Sequence, residues 1–359
     1  MHALQGSVLL YPVYALLFAD AGLTTGEISS LFVIWSVVTF VCEVPSGALA
    51  DVWSRKRLYA LGQIVTACGY GLWLLWPAYP GFVLGFVLWG LGGAFASGSL
   101  EALVYDRLGD GVAYSRVMGR ARTVDLLAML AATLLATPAY LTGGYLLVGA
   151  VSAATVTAGG LLALRLPEQK PLSGTDDEPT GSMWRSGLRA AAHRPRVLLV
   201  AMLVPGFSAL DEYLPLLARE KGAATPVVPL LFALTALAMA AGSALAGRLP
   251  PRTSRPLATA LSLAAVLLAG GALIPHPAGM IPVSAAFGLL QFAMVHAETR
   301  LQDAITGPAR ATALSVAGFG AEVCAVTLYA TFALPTPMPT LFAAMALPLL
   351  ATALLTTRR

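Results

Sequence analysis

The sequence predicts an all-α membrane protein whose twelve transmembrane helices form two pseudo-symmetric six-helix bundles. Three observations support this prediction: the composition, the number of long apolar segments and a faint internal repeat. Of the 359 residues, 57% are hydrophobic and 11% are charged, and the mean hydropathy is +0.76. This balance excludes an ordinary soluble chain and indicates a protein that crosses the membrane many times.

Twelve apolar segments are each long enough to cross a hydrocarbon layer about 30 Å thick. They cover residues 3–22, 28–49, 58–77, 81–106, 120–140, 143–164, 196–218, 226–247, 257–275, 279–300, 311–333 and 338–357. The polar stretch 165–195 contains prolines and an acidic run at Asp176, Asp177 and Glu178. It is therefore predicted to be a cytoplasmic linker between an N-terminal bundle (1–164) and a C-terminal bundle (196–359).

The distribution of Lys and Arg predicts the orientation. If the segments alternate in direction, twenty of the 22 cations lie on one face, and only Arg219 and Lys221 lie on the other. The positive-inside rule makes the cation-rich face cytoplasmic, with both termini inside. The predicted location is the bacterial cytoplasmic (inner) membrane, since the abundance of Arg over Lys is typical of a GC-rich bacterial genome.

The two halves repeat faintly at a spacing near 200 residues, which indicates a chain built from two related bundles. Asp20-Ala-Gly22 ends the first segment and Glu220-Lys-Gly222 ends the seventh. Ser46-Gly-Ala-Leu-Ala-Asp51 recurs as Ser243-Ala-Leu-Ala-Gly247, with the aspartate replaced by glycine. Because the echoes keep their order, the sequence predicts internal pseudo-symmetry.

A basic hairpin follows the second segment. Its residues Gly47, Asp51, Arg55 and Lys56 match the loop Gly-x-x-x-Asp-(Arg/Lys)-x-Gly-(Arg/Lys)-(Arg/Lys), while Val52 and Ser54 depart from it. This loop, the helix count and the repeat resemble the major facilitator superfamily (MFS). The resemblance covers the whole chain and implies the MFS fold.

Two readings of the hairpin charges remain open. Asp51, Arg55, Lys56 and Arg57, with Asp106, could form ion pairs that close the cytoplasmic side, or they could serve topology and solvation alone. Near the same face, Glu101 with Arg122 and Glu298 with Arg310 resemble the cytoplasmic glutamate and arginine network of sugar porters in this superfamily. These four residues are predicted gate ion pairs, and static structural pairing is the alternative.

Carboxylates deeper in the apolar segments are the candidates for proton or substrate binding: Asp211, Glu212, Glu322, Asp125 and Glu43. A carboxylate that is buried without a cation favours its protonated form, which a proton-coupled transporter can use. Alternatively, Glu212 and Glu322 could bind a cationic substrate, or Asp211 could extend to water. His296 is expected to be packed rather than part of a proton relay.

The predicted function is secondary active transport of a small solute by alternating access, with proton antiport driving efflux of a drug-like or hydrophobic metabolite. A proton-coupled nutrient importer and a transport-inactive sensor of the same fold are the alternatives. The antiporter motif of the resembled family, which ends Gly-Pro-x-x-Gly-Gly, survives only as Pro138 and Gly143-Gly144.

Other classes of function are not supported by motifs. No phosphate-binding loop is present, and the four histidines form no pairing typical of an enzyme. We therefore expect no enzyme activity, no cofactor, no metal and no nucleic-acid partner. The expected partners are the lipid bilayer, protons and a small-molecule substrate of a monomeric protein. Cys42, Cys68 and Cys324 are expected to be small buried hydrophobes.

Overall fold

The structure, a computed structural model, describes residues 2–97, 104, 111–166, 195–248, 255–304 and 309–357. Within these ranges all regular secondary structure is helical. The predicted all-α fold class is confirmed. Glu101, Asp106 and the greater part of the 165–195 linker lie outside the described residues.

The described part of the N-terminal half contains six α-helices. They are α1 (His2–Gly6), α2 (Tyr14–Asp20), α3 (Thr25–Val52), α4 (Arg55–Leu75), α5 (Tyr79–Ala96) and α6 (Gly111–Ala163). The start of α3 is a capping box in which Thr24 accepts from the Glu27 N–H and Glu27 accepts from the Thr24 N–H. Such reciprocal bonds satisfy two of the N–H groups that every helix start leaves unpaired. The helix therefore begins close to the predicted boundary of the second segment.

The C-terminal half contains the remaining helices. They are α7 (Pro195–Gly206), a 3₁₀ turn (Phe207–Tyr213), α8 (Leu214–Glu220), a 3₁₀ turn (Thr225–Val227), α9 (Val228–Ala246), α10 (Arg255–Leu273), a 3₁₀ turn (Pro277–Gly279), α11 (Met280–Ala304), α12 (Ala309–Phe332), α13 (Met338–Ala344) and α14 (Ala346–Thr357). The last two follow each other directly and cover the predicted twelfth segment.

Ten stretches of the described chain are long and apolar enough to cross a membrane, against twelve predicted. The difference has two local causes. The fifth and sixth segments run together in α6, where Gly144 adopts φ 59° and ψ −155° and bends the chain. A positive φ of this kind suits glycine, which has no Cβ to clash. The first segment is divided between α1 and α2, neither of which is long enough to be counted alone.

The chain divides into two compact units. One comprises Met1–Gly174 and Thr225–Leu230, and the other comprises Thr175–Ala224 and Leu231–Arg359. The first boundary falls inside the predicted linker. The grouping of Thr225–Leu230 with the first unit was not anticipated from the sequence.

The first segment is interrupted between α1 and α2, around Pro12. Side chains of the sixth segment bind the backbone that this interruption leaves free. The N–H of Leu10 donates to Ser152 Oγ at 3.0 Å, and Thr155 Oγ1 donates to the Ser7 carbonyl at 3.0 Å. An interruption inside the membrane is tolerated when neighbouring helices satisfy the freed groups in this way.

The C-terminal ends of the first and seventh segments make equivalent contacts. Asp20 Oδ2 accepts from Tyr145 Oη at 2.5 Å, beside the start of the sixth segment. Glu220 Oε2 accepts from the Met338 N–H at 3.1 Å, at the start of the twelfth. The repeat that was visible in the sequence therefore extends to the tertiary contacts within each unit.

The side chain of Lys221 caps the C-terminal end of α10. Its ammonium is buried and donates to the carbonyl oxygens of Gly271, Ala272 and Ile274 at 2.9, 2.6 and 2.6 Å. Burial lowers the pKa of this ammonium, and neighbouring Glu220 opposes the change. Carbonyl groups at a helix C-terminus carry partial negative charge, so a cation is favourable there.

The expectation of buried cysteines is wrong. Cys68 is exposed, and Cys42 and Cys324 are partly exposed. In a membrane protein the lipid can supply apolar surroundings, so an apolar run does not by itself predict burial in protein.

Candidate functional site

The two helices that carry the deep carboxylates of the second unit approach each other very closely. A Cβ on Gly206 of α7 would lie 2.5 Å from Cβ of Cys324 on α12, and a Cβ on Gly320 would overlap the side chain of Met202. Small residues allow this approach, as they do at many helix contacts in membranes. The segments around Asp211 and Glu322 are thus held next to each other.

The seventh segment is not a continuous α-helix where it carries its acids. The 3₁₀ turn Phe207–Tyr213 separates α7 from α8, with Pro205 before it and Pro215 after it. The backbone N–H groups of Glu212 and of Asp211 itself interact favourably with the Asp211 carboxylate. The backbone therefore engages Asp211, whereas the side chain of Glu212 is 9% exposed and lies in the interior of the unit.

The phenol of Tyr329 on α12 lies within electrostatic range of all three carboxyl groups, those of Glu212, Asp211 and Glu322. The ring centroid of Tyr329 lies 6.1 Å from that of Tyr213, which in turn lies 4.4 Å from Phe332. We call Asp211, Glu212, Tyr213, Glu322 and Tyr329 the acidic–tyrosine cluster.

Sequence reasoning found the three acids of this cluster but missed its two tyrosines. A signal was present, because Tyr329 follows Glu322 by seven residues, which is about two helical turns and places both on one face. Tyr213 directly follows Glu212 in the chain.

The acidic–tyrosine cluster lies near the middle of its segments. Asp211 precedes the end of α8 by nine residues and Glu322 precedes the end of α12 by ten. At about 1.5 Å per residue, these positions are about 14 and 15 Å from the ends of the helices, near the centre of a layer about 30 Å thick.

The other two predicted proton candidates belong to the first unit. Asp125 on α6 is partly exposed and packs against α1, where a Cβ on Gly6 would lie 2.5 Å from Asp125 Oδ1. The equivalent contact in the second unit joins Gly206 to Cys324. Glu43 on α3 is exposed. Neither residue is part of the acidic–tyrosine cluster.

The basic hairpin between α3 and α4 is described only in part. Gly47 is exposed, with no described atom within 4 Å of the position of a Cβ. Lys56 Nζ donates to the Leu166 carbonyl at 3.1 Å, beyond the end of α6. Arg55 is partly exposed and Arg57 is exposed. The side chain of Asp51 and all of Asp106 lie outside the described part of the chain.

The two predicted gate pairs cannot be compared with the described geometry. Arg122 and Arg310 belong to α6 and α12, but their side chains are not among the described ones, and Glu101 is not described. Glu298 is exposed and accepts from Gln302 Nε2 at 3.2 Å. The pairings Glu101–Arg122 and Glu298–Arg310 therefore stay predictions.

His296 stacks on Phe292, with ring centroids 4.3 Å apart and an interplanar angle of 26°, and it is 2% exposed. This environment agrees with a packed histidine. Among the described residues, no group of three His, Cys, Asp or Glu side chains could hold a metal ion.

The family model of the Major Facilitator Superfamily matches residues 3–328. The chain belongs to this superfamily. The match spans both bundles and confirms the resemblance that the hairpin, the helix count and the repeat suggested. Members of the family and the structural neighbours below are transporters rather than enzymes. Among curated proteins, none matches the chain.

Solved structures with the same fold include several transporters of small solutes. The nucleoside transporter NupG has 15% identity and a TM-score of 0.75, covering 100% of this chain and 96% of its own. An auto-inhibited POT family peptide transporter has 16% identity and a TM-score of 0.76, covering 99% and 94%. A D-xylose-proton symporter has 14% identity and a TM-score of 0.74, covering 99% and 96%. At these identities the similarity establishes the fold alone.

Proposed function

We propose that this MFS protein is a secondary active transporter that exports a drug-like or hydrophobic metabolite by alternating access, in exchange for protons. The observation that carries the proposal is the acidic–tyrosine cluster on an interrupted helix near the membrane centre. Transporters commonly bind substrate and coupling ions near the midplane, on discontinuous helices.

Glu212 is the residue that we propose binds the coupling proton. It is 9% exposed, and ionising a carboxyl group in such surroundings costs free energy that water would otherwise offset. The Tyr329 phenol interacts electrostatically with the Glu212 carboxyl and carries an O–H donor of the kind that ionised carboxylates accept. Asp211, whose carboxylate is engaged by backbone N–H groups, is proposed to support the 3₁₀ turn, and Glu322 is the second proton candidate.

Proton exchange at Glu212 would depend on which side of the membrane admits water to the cluster. When water enters, the ionised form is solvated and the proton leaves. When the site closes, the neutral form is favoured. This difference between the two states is what couples a proton gradient to the movement of a solute.

The test is flux into sealed vesicles that contain purified protein, with a solute first identified by thermal stabilisation of the detergent-solubilised protein. Glu212→Gln should abolish gradient-driven accumulation and retain solute exchange without a gradient. Asp211→Asn and Glu322→Gln are measured alongside. Wild-type pH dependence and concentrative transport in all three variants would exclude the cluster as the proton site, and Asp125 and Glu43 would be tested next.

Two other functions give different results in the same assay. A proton-coupled nutrient importer would accumulate its solute in the direction of proton movement, opposite to an exporter. The neighbouring nucleoside transporter, peptide transporter and xylose-proton symporter make such solutes reasonable first probes. A transport-inactive sensor would bind a solute without any flux.

The proposed location is the bacterial inner membrane, as a monomer with both termini in the cytoplasm and the residues around Thr25 outside. The exclusion of Arg and Lys from all but one of the predicted outer loops supports this orientation.

A further inference from the structure

The first unit contains a dense aromatic cluster between its first four segments. Its fully buried members form an ordinary apolar core, with ring centroids as close as 4.5 Å between Phe18 and Phe82 and 4.8 Å between Trp73 and Phe86. These core rings are Tyr14, Phe18, Phe32, Trp73, Phe82 and Phe86. They stabilise the unit and need no further role.

Two tryptophans at the margin of this core differ from it. Trp35 on α3 and Trp89 on α5 are only partly buried, and their rings lie 5.3 Å apart at an interplanar angle of 32°. The core holds Trp89 in place, with centroid distances of 5.7 Å to Phe86, 5.8 Å to Trp73 and 6.0 Å to Tyr70. The pair is thus a rigid aromatic surface with an accessible side.

The indole N–H groups also distinguish this pair from the core. The buried Trp73 donates its N–H to the Phe82 carbonyl at 3.2 Å, as buried indoles usually do. For Trp35 and Trp89, no hydrogen bond to another described residue is present. Each keeps a donor that a bound molecule could use.

Both tryptophans lie at the depth of the membrane centre. Trp35 follows the start of α3 by ten residues, and Trp89 follows the start of α5 by ten. Each is therefore about 15 Å from the end of its helix. Tryptophans that anchor a protein in the bilayer lie at the interfaces instead, so anchoring does not explain this pair.

Two hydroxyl groups of α3, one and four residues after Trp35 in the chain, have no hydrogen-bond partner among the described residues. They are Ser36 Oγ and Thr39 Oγ1, both inaccessible to solvent. A Cβ on Gly90 would lie 3.2 Å from Thr39 Oγ1, so this hydroxyl faces the same contact between α3 and α5 as the indole pair. Unsatisfied hydroxyls cost stability, and a contact built only for packing would avoid them.

We propose that Trp35 and Trp89 bind a flat aromatic ring of the transported solute, so that the protein selects ring-bearing over aliphatic solutes of equal size and charge. This inference rests on the proposed transport of a small solute, but it does not depend on proton coupling. Rings stack favourably on partly exposed indoles, and rigid aromatic walls with a few polar groups are typical of small-molecule sites. Thr39 leaves an unsatisfied hydroxyl at the contact between α3 and α5 that holds the indole pair.

The experiment measures binding to the detergent-solubilised full-length protein by calorimetry. The probes are naphthylmethyl compounds with a trimethylammonium, alcohol or carboxylate group, each paired with its saturated decahydronaphthylmethyl counterpart. Each pair matches size and charge and differs only in the aromatic ring. For at least one head group, the wild type should bind the aromatic member about tenfold more tightly.

Trp35→Leu and Trp89→Leu should reduce the ratio of aromatic to saturated affinity to near one, and the corresponding Phe variants should keep part of the preference. Trp76→Leu is the control, because Trp76 is an exposed tryptophan at the C-cap of α4, away from the indole pair. The proposal is overturned if the wild type binds the aromatic and saturated members equally for all three head groups. It is also overturned if both Leu variants keep the wild-type preference for the aromatic member. If the protein accumulates a solute but binds aromatic and saturated probes equally, only the aromatic subsite is rejected. If it prefers aromatic probes but shows no flux of any solute, the transport function is rejected.

Discussion

At the scale of single residues, glycine controls how closely the first and seventh segments approach their neighbours. Gly6 contacts Asp125, and Gly206 contacts Cys324 with room for no larger side chain. These are equivalent positions in the two halves of the repeat. The first of these contacts involves an acid and the second a cysteine, and the second half carries its deep acids on the 3₁₀ turn and at Glu322 of α12.

The substitution Gly206→Ala should destabilise the protein by about 1–3 kcal/mol, because the added Cβ would overlap Cys324 and force the helices apart. Thermal unfolding of the purified protein measures the effect. Cys324→Gly in the same chain should restore part of the loss, since it removes the overlapping atoms.

Gly270→Ala is the control for this prediction, because a Cβ at Gly270 on α10 would meet no described atom within 4 Å. It should leave stability unchanged or raise it slightly, as alanine is the better helix former. If Gly206→Ala and Gly270→Ala changed the stability of the protein equally, the close packing inferred at Gly206 would be contradicted.

At the scale of elements, interrupted helices place backbone and carboxyl groups at the membrane centre. The interruption between α1 and α2 is satisfied by Ser152 and Thr155, and the one between α7 and α8 carries Asp211 and Glu212. A short 3₁₀ stretch within a helix is often a functional hinge. Only the second interruption has acidic side chains, so the two related units are not equivalent in chemistry.

The inner ends of the helices carry the proposed gate pairs, which lead to a prediction about the state of the protein. If Glu101–Arg122 is an ion pair that breaks as the inner side opens, Glu101→Gln and Arg122→Ala should both favour the state open to the cytoplasm. The measurement is the reaction rate of a cysteine at the exposed Asp303, near the C-terminal end of α11 that is predicted to be cytoplasmic, with a reagent supplied from the cytoplasmic side, in a chain without its native cysteines.

Asp51→Asn is the companion variant, because it removes a charge and little volume. It should lower transport while leaving the amount of inserted protein unchanged. Unchanged reaction rates in the Glu101 and Arg122 variants would leave only the static structural pair.

At the scale of the whole molecule, the charge distribution predicts orientation. A cysteine at Thr25, in a chain without its native cysteines, should react with a membrane-impermeant reagent in intact cells. A cysteine at the exposed Arg57 should react only after permeabilisation. The opposite pattern at the two positions would overturn the topology.

The sequence by itself determined the fold class, the positions of the membrane segments, the repeat and the membership of the superfamily. These depend on properties that are local in the chain, because the hydrocarbon layer sets the length of an apolar segment and the charges of the loops set its direction. The three acids at Asp211, Glu212 and Glu322 could be found in the same way, since an ionisable group in an apolar run is conspicuous.

Only the tertiary structure decided which of these residues meet. Tyr329 interacts electrostatically with Glu212, although more than a hundred residues separate them in the chain. Trp35 packs against Trp89 at a contact between α3 and α5, and the apolar composition of these segments does not show that the two helices meet. The breaks in the first and seventh segments were likewise hidden, because a hydropathy pattern is the same for a continuous and an interrupted helix. The burial of a side chain depends on packing between distant parts of the chain, and in a membrane the lipid makes the exposed and buried faces of a helix equally apolar.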